Sequence, residues 1–525
     1  MFNWFQKTQY ITWLGILVMA ACTPVGLDAK GPRSQSVRSE VRAYRLENEI
    51  AILHELAELL SIPNVASERD DIQKNANHLV TMLQRRGIET QLLQVENSPP
   101  VVFGDLRTAG ANKTVVLYMH YDGQPVNPLN WSSEPWKPVL RNNSLERGGQ
   151  QIRLSEAQSP IDGEWRIYAR SASDDKAPIV AILTAVDALR TADIPLSVNI
   201  KFFLEGEEEA GSPHLAAIVK KYAELLQADA WLMCDGPIHQ TRRQQVVFGA
   251  RGVIGLAVTT YGPIRPLHSG HYGNWAPNPI VLLTHLLTSM RDVDGRILID
   301  GLYDDVRPIT ESEQRAIYSA PDVDTELRQE LGLAWTEGEG KRLEELIMSP
   351  ALNLRAIQSG GAKARNAIQS EATAFIGFRL VPNQTLEKVR AQVEAHVRKQ
   401  GFYIVYETPD VETRRRHAKI ARLRWGKGYP PARTSMDLPV SQAVVRVIEE
   451  AVEAPIIRLP TFGGSGPIYI FQQVLNVPFI IVPMANHDNN QHAENENLRI
   501  QNLWDGIEIY ASILARLGHV WKSID

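Results

Sequence analysis

Apolar residues recur along most of the chain at either helical or strand-like spacing. Between residues 44 and 61, leucine and isoleucine return every three or four positions, which predicts an amphipathic helix that ends before Pro63. Short apolar runs follow, separated by helical segments, and this arrangement is typical of buried strands in a largely parallel sheet. The predicted strands are 89–95, 114–119, 198–204, 229–234 and 477–484, and the further helices are 72–87, 178–190, 440–453 and 500–517.

A second group of strands and helices interrupts this pattern. It starts with a strand-like run at 253–262 and contains a predicted helix at 278–291 and a strand at 373–381. Because the first pattern resumes near residue 440, we predict one domain inserted into another. The expected fold class is α/β, with a mostly parallel sheet flanked by helices and interrupted by a smaller α+β domain. The predicted bounds are 44–251 and 431–525 for the larger domain and 252–430 for the insertion.

The first residues have the layout of a secretory signal. Lys7 is the only charged residue before the apolar run 11–21, which is too short for a bilayer of ~30 Å because spanning needs about 20 residues. The run ends in Met-Ala-Ala-Cys, which resembles the box where bacterial lipoproteins are cleaved and lipidated. We therefore expect a signal peptide at 1–21, then a lipidated Cys22 with a tether over 22–43. The protein would face the periplasm from the outer membrane of the cell envelope, with its lipid as the only membrane contact. An ordinary signal peptide with an incidental cysteine, or a start codon assigned too early, is the alternative.

The composition describes a large globular protein and excludes several classes. The chain has 525 residues, of which 44% are hydrophobic and 22% charged, so it has enough apolar material for a core. A net charge of −5 gives no sign of nucleic-acid binding, and we interpret the basic run at 414–427 as a solvated face or a subunit contact. Two cysteines cannot form a disulfide framework.

Residue types that bind metals lie next to several predicted strands. The clusters are His120–Asp122, Ser173–Lys176, Glu205–Glu209, Asp235–Gly236 and Asn486–His492. Each cluster alone would be an ordinary surface pair or turn, but the carboxyl ends of strands in an open α/β sheet gather ligands at one edge. Imidazole with several carboxylates suits zinc, manganese or cobalt. At least five candidate ligands favour a site for two metal ions ~3.5–4 Å apart.

These clusters, taken in order, resemble metallopeptidase family M20, which includes carnosinase-type dipeptidases and glutamate carboxypeptidases. The resemblance runs from about residue 44 to the C-terminus. The motifs that carry it are His120-x-Asp122, Ser-Asp-Asp-Lys at 173–176, Glu-Gly-Glu-Glu-Glu-x-Gly-Ser at 205–212, Asp235-Gly236 and the late His492.

The resemblance implies a role for each of these residues. Two divalent ions, zinc before manganese or cobalt, would be bound by His120 and Asp235 on one side and by Glu209 and His492 on the other. Asp174 would bridge the two ions and precede a cis peptide bond to Asp175. Asp122 would orient His120 through its second ring nitrogen, and Glu208 would be the general base.

The resemblance extends to the insertion, which corresponds to the family's lid and dimerisation domain. His268, in Leu-His-Ser-Gly, would reach the active site of the partner in a homodimer and polarise the scissile carbonyl. Arg379, in Phe-Arg-Leu-Val-Pro-Asn, would bind a substrate carboxylate, a task that suits the bidentate guanidinium fork. Gly464 and Ser465, in Gly-Gly-Ser-Gly, would meet the same end of the substrate.

The activity that the resemblance implies is metal-assisted hydrolysis of an amide bond. Two metals would activate a water from which Glu208 takes a proton, and the substrate would be a dipeptide or the C-terminal residue of a short peptide. An N-acyl amino acid deacylase or desuccinylase uses the same chemistry and stays open. A non-catalytic envelope lipoprotein that retains the fold is a second alternative, from another class.

Three departures from the dipeptidase pattern bear on the substrate rather than on the hydrolytic core. Asn489-Asn490-Gln491 stands before the final histidine, and Glu207 stands where methionine is usual. No histidine lies around Asp437-Leu438-Pro439, where Arg433 or Thr434 is the candidate substitute.

Overall fold

The computed structural model describes residues 31–361 and 366–521. The predicted signal peptide and Cys22 lie outside these residues, so export and lipidation stay predictions. Within the described ranges, no helix combines the length and the hydropathy needed to cross a bilayer.

The chain forms a larger domain that is interrupted by an insertion. The first segment of the larger domain holds α1 (Ser34–Leu60), α2 (Arg69–Gln84), α3 (Lys176–Thr191) and α4 (Leu215–Lys221), with strands β1 (Glu89–Leu93), β2 (Val101–Leu106), β3 (Thr114–His120), β4 (Val139–Arg141), β5 (Gln151–Ile152), β6 (Arg166–Tyr168), β7 (Asn199–Glu205), β8 (Ala230–Met233), β9 (Gln245–Val247) and β10 (Gly249–Ala250). The insertion holds α5 (Ser269–Tyr272), α6 (Pro279–Met290), α7 (Glu311–Ser319), α8 (Asp324–Glu330), α9 (Leu343–Ile347), α10 (Leu386–Lys399) and α11 (Val411–Arg416), with strands β11 (Gly252–Tyr261), β12 (Leu267–His268), β13 (Ala351–Gln358), β14 (Ala367–Ile368), β15 (Glu371–Leu380), β16 (Tyr403–Val405) and β17 (Ile420–Tyr429). The final segment holds β18 (Ala432–Arg433), β19 (Ile457–Leu459), β20 (Phe479–Ile481) and β21 (Asn497–Arg499), with α12 (Pro439–Val452) and α13 (Ile500–Val520).

An eight-stranded sheet forms the centre of the larger domain. Its strand order is β1-β2-β7-β3-β8-β20-β9-β19. The four central strands β7, β3, β8 and β20 are parallel, whereas β1, β2 and β9 join by antiparallel pairing. The predicted α/β class is confirmed, and the sheet is parallel at its centre with antiparallel strands toward both edges. The carboxyl ends of the central strands therefore meet at one edge.

Helices cover both faces of this sheet. Helices α1, α2, α3, α12 and α13 bury one face in a core that contains Leu183 and Leu514. Helix α4 and the helical turn Phe471–Leu475 cover the other face, where Trp231 and Phe203 are fully buried. Because apolar residues cover both faces, the central strands appear in the sequence as nearly continuous apolar runs.

Helix α1 begins earlier than the sequence predicted. Val37 and Val41, one helical turn apart, are fully buried in the core. Just before the helix, the carbonyl of Pro32 accepts a hydrogen bond from Arg516 Nε at 3.0 Å. The predicted tether over 22–43 is therefore wrong from residue 34 onward. This segment is mostly polar, but its two valines pack into the core and hold it against the domain.

The insertion has a separate sheet and core. Its five strands lie in the order β13-β15-β11-β17-β16, with β11 antiparallel to both of its neighbours. Helices α6 and α10 pack on one face of this sheet, over residues such as Ile376 and Phe378. The expected smaller α+β domain is therefore present.

The insertion contains helices that the sequence did not predict, and it contains the basic run. Helices α7 to α9 lie where no element was predicted, and Glu313 of α7 contacts Arg433 of the larger domain at 3.3 Å. The basic run 414–427 is divided between α11 and β17 and is mostly exposed, with Arg414 stacked over the ring of Tyr261 at 4.5 Å. This exposure agrees with a solvated face.

Candidate metal centre

Five side chains with nitrogen or oxygen ligand atoms form two groups that share one carboxylate. One group is His120, Asp174 and Asp235, the other is Asp174, Glu209 and His492, and within each group the ligand atoms lie within 4.8 Å of one another. Asp174 stands between the groups, with Oδ1 2.8 Å from His120 Nε2 and Oδ2 3.1 Å from His492 Nε2. These are the five predicted ligands, and the shared carboxylate is the one predicted to bridge.

Strand direction brings these residues together. His120 is the last residue of β3, and Asp235 follows β8 by two residues, so both lie at the carboxyl edge of neighbouring parallel strands. Glu209 follows β7 at the same edge. Asp174 lies two residues before the start of α3 and is joined to Asp175 by a cis peptide bond. His492 comes from the loop between β20 and β21, where its backbone has a φ of +60°.

The donor set fits metal ions. His492 Nε2 is 3.2 Å from Glu209 Oε2, and His120 Nε2 is 4.0 Å from Asp235 Oδ2. Asp235 Oδ1 is buried without a hydrogen-bond partner in the described part of the chain, although buried carboxylate oxygens are rarely left unpaired. Imidazole and carboxylate donors are ligands for zinc, manganese and cobalt.

Asp122 fixes both the ring of His120 and the start of the acidic turn after β7. Its backbone carbonyl and its Oδ1 lie 3.2 and 3.4 Å from His120 Nδ1. The same carboxylate accepts hydrogen bonds from the backbone N–H of Glu208 at 3.0 Å and of Glu209 at 2.9 Å. Asp122 therefore links residues of both ligand groups, which goes beyond the predicted role of orienting His120.

Glu496 is a residue of the site that sequence reasoning missed. Its carboxylate is fully buried and accepts hydrogen bonds from the backbone N–H of Ser171, Ser173 and Asp174 at 2.9–3.0 Å. Arg170 Nη1 donates to the same carboxylate at 2.8 Å. In the sequence Glu496 lies in a polar stretch that looks like a surface turn, so no local signal identifies it.

Two glutamine amides hold the carboxylates of the second group. Gln491 Nε2 donates to Asp174 Oδ2 at 2.7 Å, and Gln124 Nε2 donates to Glu209 Oε2 at 2.7 Å. Gln491 is the last residue of Asn489-Asn490-Gln491, the segment that departs from the dipeptidase pattern. This departure therefore places a hydrogen-bond donor at the shared carboxylate.

Crowding and burial change the acidity of the centre. Burial and the nearby Asp174 carboxylate raise the pKa of Glu209 to about 7 and that of Asp235 to about 6. Burial also acts on Asp174, but hydrogen bonds from His120 and His492 outweigh it and lower the pKa of Asp174. Several carboxylates thus compete for few protons, and divalent cations would neutralise this excess of negative charge.

Glu208 lies beside the two ligand groups and belongs to neither of them. Burial, followed by the charges of Asp235 and Asp174, raises the pKa of its carboxyl group. A Cβ built on Gly466 would be 4.0 Å from Glu208 Oε1, so this glycine lies close to the carboxylate. The side chain is therefore placed between the ligand groups and the glycine-rich loop.

Arg379 contacts the glycine-rich loop, and both were predicted to bind the same end of the substrate. Arg379 Nη1 donates to Ser465 Oγ at 2.6 Å, and the backbone N–H of Arg251 donates to the Gly464 carbonyl at 3.0 Å. Burial and the neighbouring Arg355 lower the pKa of Arg379. This end of the site therefore collects positive charge.

His268 is not brought to the metal centre within its own chain. It lies on the short strand β12 and is exposed. Its side-chain contacts are local, since Nδ1 accepts from Gly270 N at 3.2 Å and the ring lies 4.4 Å from that of His271, while its backbone pairs with Ala367 of β14. Among the described residues, His268 is therefore not one of those that form or border the metal centre.

The remaining departures have structural explanations. Glu207, where methionine is usual, accepts a hydrogen bond from His214 N at 2.9 Å and lies 2.9 Å from its Nδ1. Arg433 is paired with Glu313, and the Thr434 hydroxyl accepts a hydrogen bond from the first backbone N–H of β20 at 3.0 Å. Arg433 Nε and Nη2 are buried without a hydrogen-bond partner among the described residues, so the pairing with Glu313 engages only Nη1.

Comparisons with known proteins point to one family. The model of Peptidase family M20/M25/M40 matches residues 116–516. A Cys-Gly metallodipeptidase from Schizosaccharomyces pombe is 25% identical over 488 residues, which cover 91% of this chain and 95% of that protein. The human Beta-Ala-His dipeptidase is 28% identical over 435 residues, which cover 80% of this chain and 78% of that protein.

Solved structures agree with this assignment. An M20 family metallo-carboxypeptidase from Sulfolobus solfataricus has a TM-score of 0.71 and 27% identity, covering 89% of this chain and 99% of that chain. Human carnosine dipeptidase 1, at 23% identity, shares the fold with a TM-score of 0.69. The family model covers more than half of the chain, so the chain belongs to peptidase family M20/M25/M40.

Proposed function

We propose that this hydrolase cleaves the amide bond of dipeptides, or releases the C-terminal residue of short peptides, with two divalent ions and with Glu208 as general base. The observation that carries the proposal is the pair of ligand groups that share Asp174, with the Glu208 carboxylate beside them. The relatives named Cys-Gly metallodipeptidase and Beta-Ala-His dipeptidase align over most of this chain and support the same class of substrate.

Each ion would have its own ligands. His120 and Asp235 would hold one ion, Glu209 and His492 would hold the other, and Asp174 would bind both. Ions bound there supply a Lewis acid for the scissile carbonyl and lower the pKa of a bound water. Imidazole and carboxylate donors favour zinc, and they also suit manganese and cobalt.

The role we propose for Glu208 is proton transfer. Its carboxylate is in neither ligand group, and Asp122 holds its backbone N–H at 3.0 Å. A carboxyl group whose pKa is raised by burial is suited to accept a proton from water and later donate it to the leaving amine. Glutamine at this position keeps the shape of the side chain and removes this chemistry.

The substrate carboxylate would bind at the end of the site that collects positive charge. Arg379 Nη1 lies 2.6 Å from Ser465 Oγ, and burial together with the charge of Arg355 lowers the pKa of Arg379. A free carboxylate would balance this positive charge and could accept two hydrogen bonds from the guanidinium fork. The backbone of Gly464 and the hydroxyl of Ser465 would contact the same end.

The proposal includes a homodimer that is anchored to the cell envelope. His268 is exposed on the insertion, so a partner subunit could receive it. Two-fold association is the commonest form of oligomer. The anchor would be a lipid on Cys22, which follows an apolar segment with the layout of an export signal.

The decisive experiment separates proton transfer from metal binding. Glu208→Gln should keep both metals and lose about 10²–10⁴-fold in kcat, whereas Asp174→Ala should lose both metals. Glu224→Gln, which changes an exposed glutamate, is the matched control. Metal content and kinetics should be measured on the same samples, with dipeptides, tripeptides and N-acyl amino acids as substrates. Near wild-type turnover in Glu208→Gln would exclude the base assignment, and cleavage of N-acyl amino acids alone would indicate a deacylase.

A further inference from the structure

An apolar cavity of about 320 Å³ lies beside the metal centre. Asp174, Glu208, Asp235 and His492 border it on one side. The rest of its wall is mostly apolar, although the chemistry beside it is highly charged. The largest apolar side chains of the wall are Tyr118, Met233, Phe462, Ile468, Phe471 and Ile481. A volume of this size falls within the range of small-molecule sites.

The deep part of the wall is a fixed aromatic cluster. Phe471 stacks on Trp231 with ring centroids 4.2 Å apart and meets Tyr118 edge-on at 5.6 Å. All three side chains are at most 2% exposed. The hydroxyl of Tyr118 is already engaged, since it donates to Glu205 Oε2 at 2.6 Å. Tyr118 and Phe471 line the cavity, and Trp231, whose Nε1 has no hydrogen-bond partner among the described residues, packs against Phe471.

Such a surface favours an apolar occupant over water. A buried water is held by two to four polar partners. The part of the wall formed by Met233, Phe462, Ile468 and Ile481 has no polar side-chain group, in contrast to the part beside the metal centre. Wall atoms next to an empty space also lose van der Waals contacts, which a fitting ligand would restore. A bulky hydrocarbon group is therefore the occupant that this part of the cavity would bind most favourably.

The position of the cavity ties its occupant to the scissile bond. The cavity is also lined by Gly464, Ser465 and Gly466, and Ser465 accepts the hydrogen bond from Arg379. It thus extends between the metal centre and the proposed carboxylate anchor. A group held there would belong to a residue adjacent to the bond that is hydrolysed.

We propose that this cavity is a specificity pocket for a bulky apolar group next to the scissile amide, namely a side chain of the size of leucine or phenylalanine in a dipeptide. The inference rests on the proposed function for the nature of the bond that is cut. The acyl chain of an N-acyl amino acid would have the same chemistry, so the experiment includes both sources.

The first test is a graded substrate series. The metal-loaded enzyme is assayed with Xaa-Gly and Gly-Xaa dipeptides in which Xaa is alanine, valine or leucine, and with N-acylglycines of increasing chain length. Each buried methylene is worth ~0.8 kcal/mol, so kcat/KM should rise about fourfold per added carbon in one series. A rise in either dipeptide series supports the pocket and identifies the residue that occupies it. A rise in the N-acylglycines alone supports the pocket but refutes the dipeptidase function, and flat or falling series overturn the pocket.

A pair of variants tests the assignment of the wall. Ile468→Trp fills the mouth of the cavity and should bring the leucine-to-alanine ratio of kcat/KM close to one. Val474→Trp is the matched control, because Val474 is 39% exposed and does not line the cavity. Thermal unfolding of both variants shows whether they remain folded. If Ile468→Trp is folded and keeps the wild-type ratio, the pocket is wrongly assigned.

Binding measurements give a readout without turnover. Calorimetric titration of free alanine, valine and leucine should show affinity rising about fourfold per carbon for the wild type and for Val474→Trp, but not for Ile468→Trp. A more negative heat-capacity change with leucine would mark burial of apolar surface. Equal affinities of the wild type for alanine and leucine would overturn the proposal.

Discussion

Glu496 is a buried carboxylate on which the position of the shared metal ligand depends. Its Oε1 accepts hydrogen bonds from the backbone N–H of Ser173 and Asp174, each at 3.0 Å, and from Ser173 Oγ at 3.1 Å. Its Oε2 accepts from Arg170 Nη1 at 2.8 Å and from Ser171 N at 2.9 Å. We predict that Glu496→Gln destabilises the fold and weakens metal binding together.

The magnitude follows from the number of donors around the two oxygens. Glutamine has one acceptor oxygen, so either the donors at Oε1 or those at Oε2 would face an NH₂ group. Removing one partner of a buried ion pair costs about 3–5 kcal/mol, and here the remaining partner is Arg170. We therefore expect the free energy of unfolding to fall by about 3–5 kcal/mol. Loss of a group that orients a metal ligand lowers metal affinity by about 10–100-fold.

The assay combines urea unfolding with metal competition against a chromophoric chelator. Glu494→Gln is the matched control, because Glu494 is exposed and accepts one hydrogen bond from Asn130 at 3.0 Å. This control should change the free energy of unfolding by no more than about 0.5 kcal/mol. If Glu496→Gln unfolds like the wild type and binds metal equally well, the loop before α3 does not depend on this carboxylate, and our reasoning is refuted.

Three further predictions test other parts of the proposal. Arg379→Ala should raise KM for dipeptides by roughly tenfold or more with a smaller effect on kcat, because it removes a contact to the carboxylate that is made throughout the reaction; amidated dipeptides should not distinguish the variant from the wild type. Glu208→Gln and His268→Ala protomers, each nearly inactive alone, should regain activity when mixed, because one site of the heterodimer has its own Glu208 and the partner's His268. If activity does not recover although subunit exchange is demonstrated, the shared site is refuted. Cys22→Ser should move the protein from the membrane fraction to the soluble periplasmic fraction, and equal solubility of variant and wild type would refute the lipid anchor.

Much of the fold could be predicted because the central strands are buried on both faces. The apolar runs at 114–119 and 198–204 correspond to β3 and β7, which differ from the prediction by one residue at the ends. Strands β4 to β6 were missed because they are two or three residues long and carry polar side chains. The start of α1 was missed because only Val37 and Val41 mark its buried face. Tertiary packing, rather than local pattern, stabilises these segments.

The candidate site was predictable where a potential metal ligand directly follows a predicted strand. His120 and Asp235 are unusual residues directly after apolar runs, so their position in the sheet already indicates their convergence. Glu496 and Gln124 carry no such signal, because their contacts to Asp174 and Glu209 join parts of the chain that are distant in sequence. The apolar cavity carries no sequence signal either, since its wall is assembled from segments that are distant in sequence.

The attachment of the N-terminal end of the fold to α13 limits how far an anchored enzyme could stand from its membrane. Gly31 has a φ of +70°, and a Cβ built on it would lie 2.3 Å from the ring of His519, so a larger residue would not fit there. Together with the hydrogen bond from Arg516 to Pro32, this contact fixes the chain at the surface of the larger domain. Even fully extended, the nine residues from Cys22 to Gly31 reach only about 30 Å. With a lipid on Cys22, this short connection would hold the enzyme within about 30 Å of the bilayer, and the enzyme would act on peptides that diffuse close to the membrane.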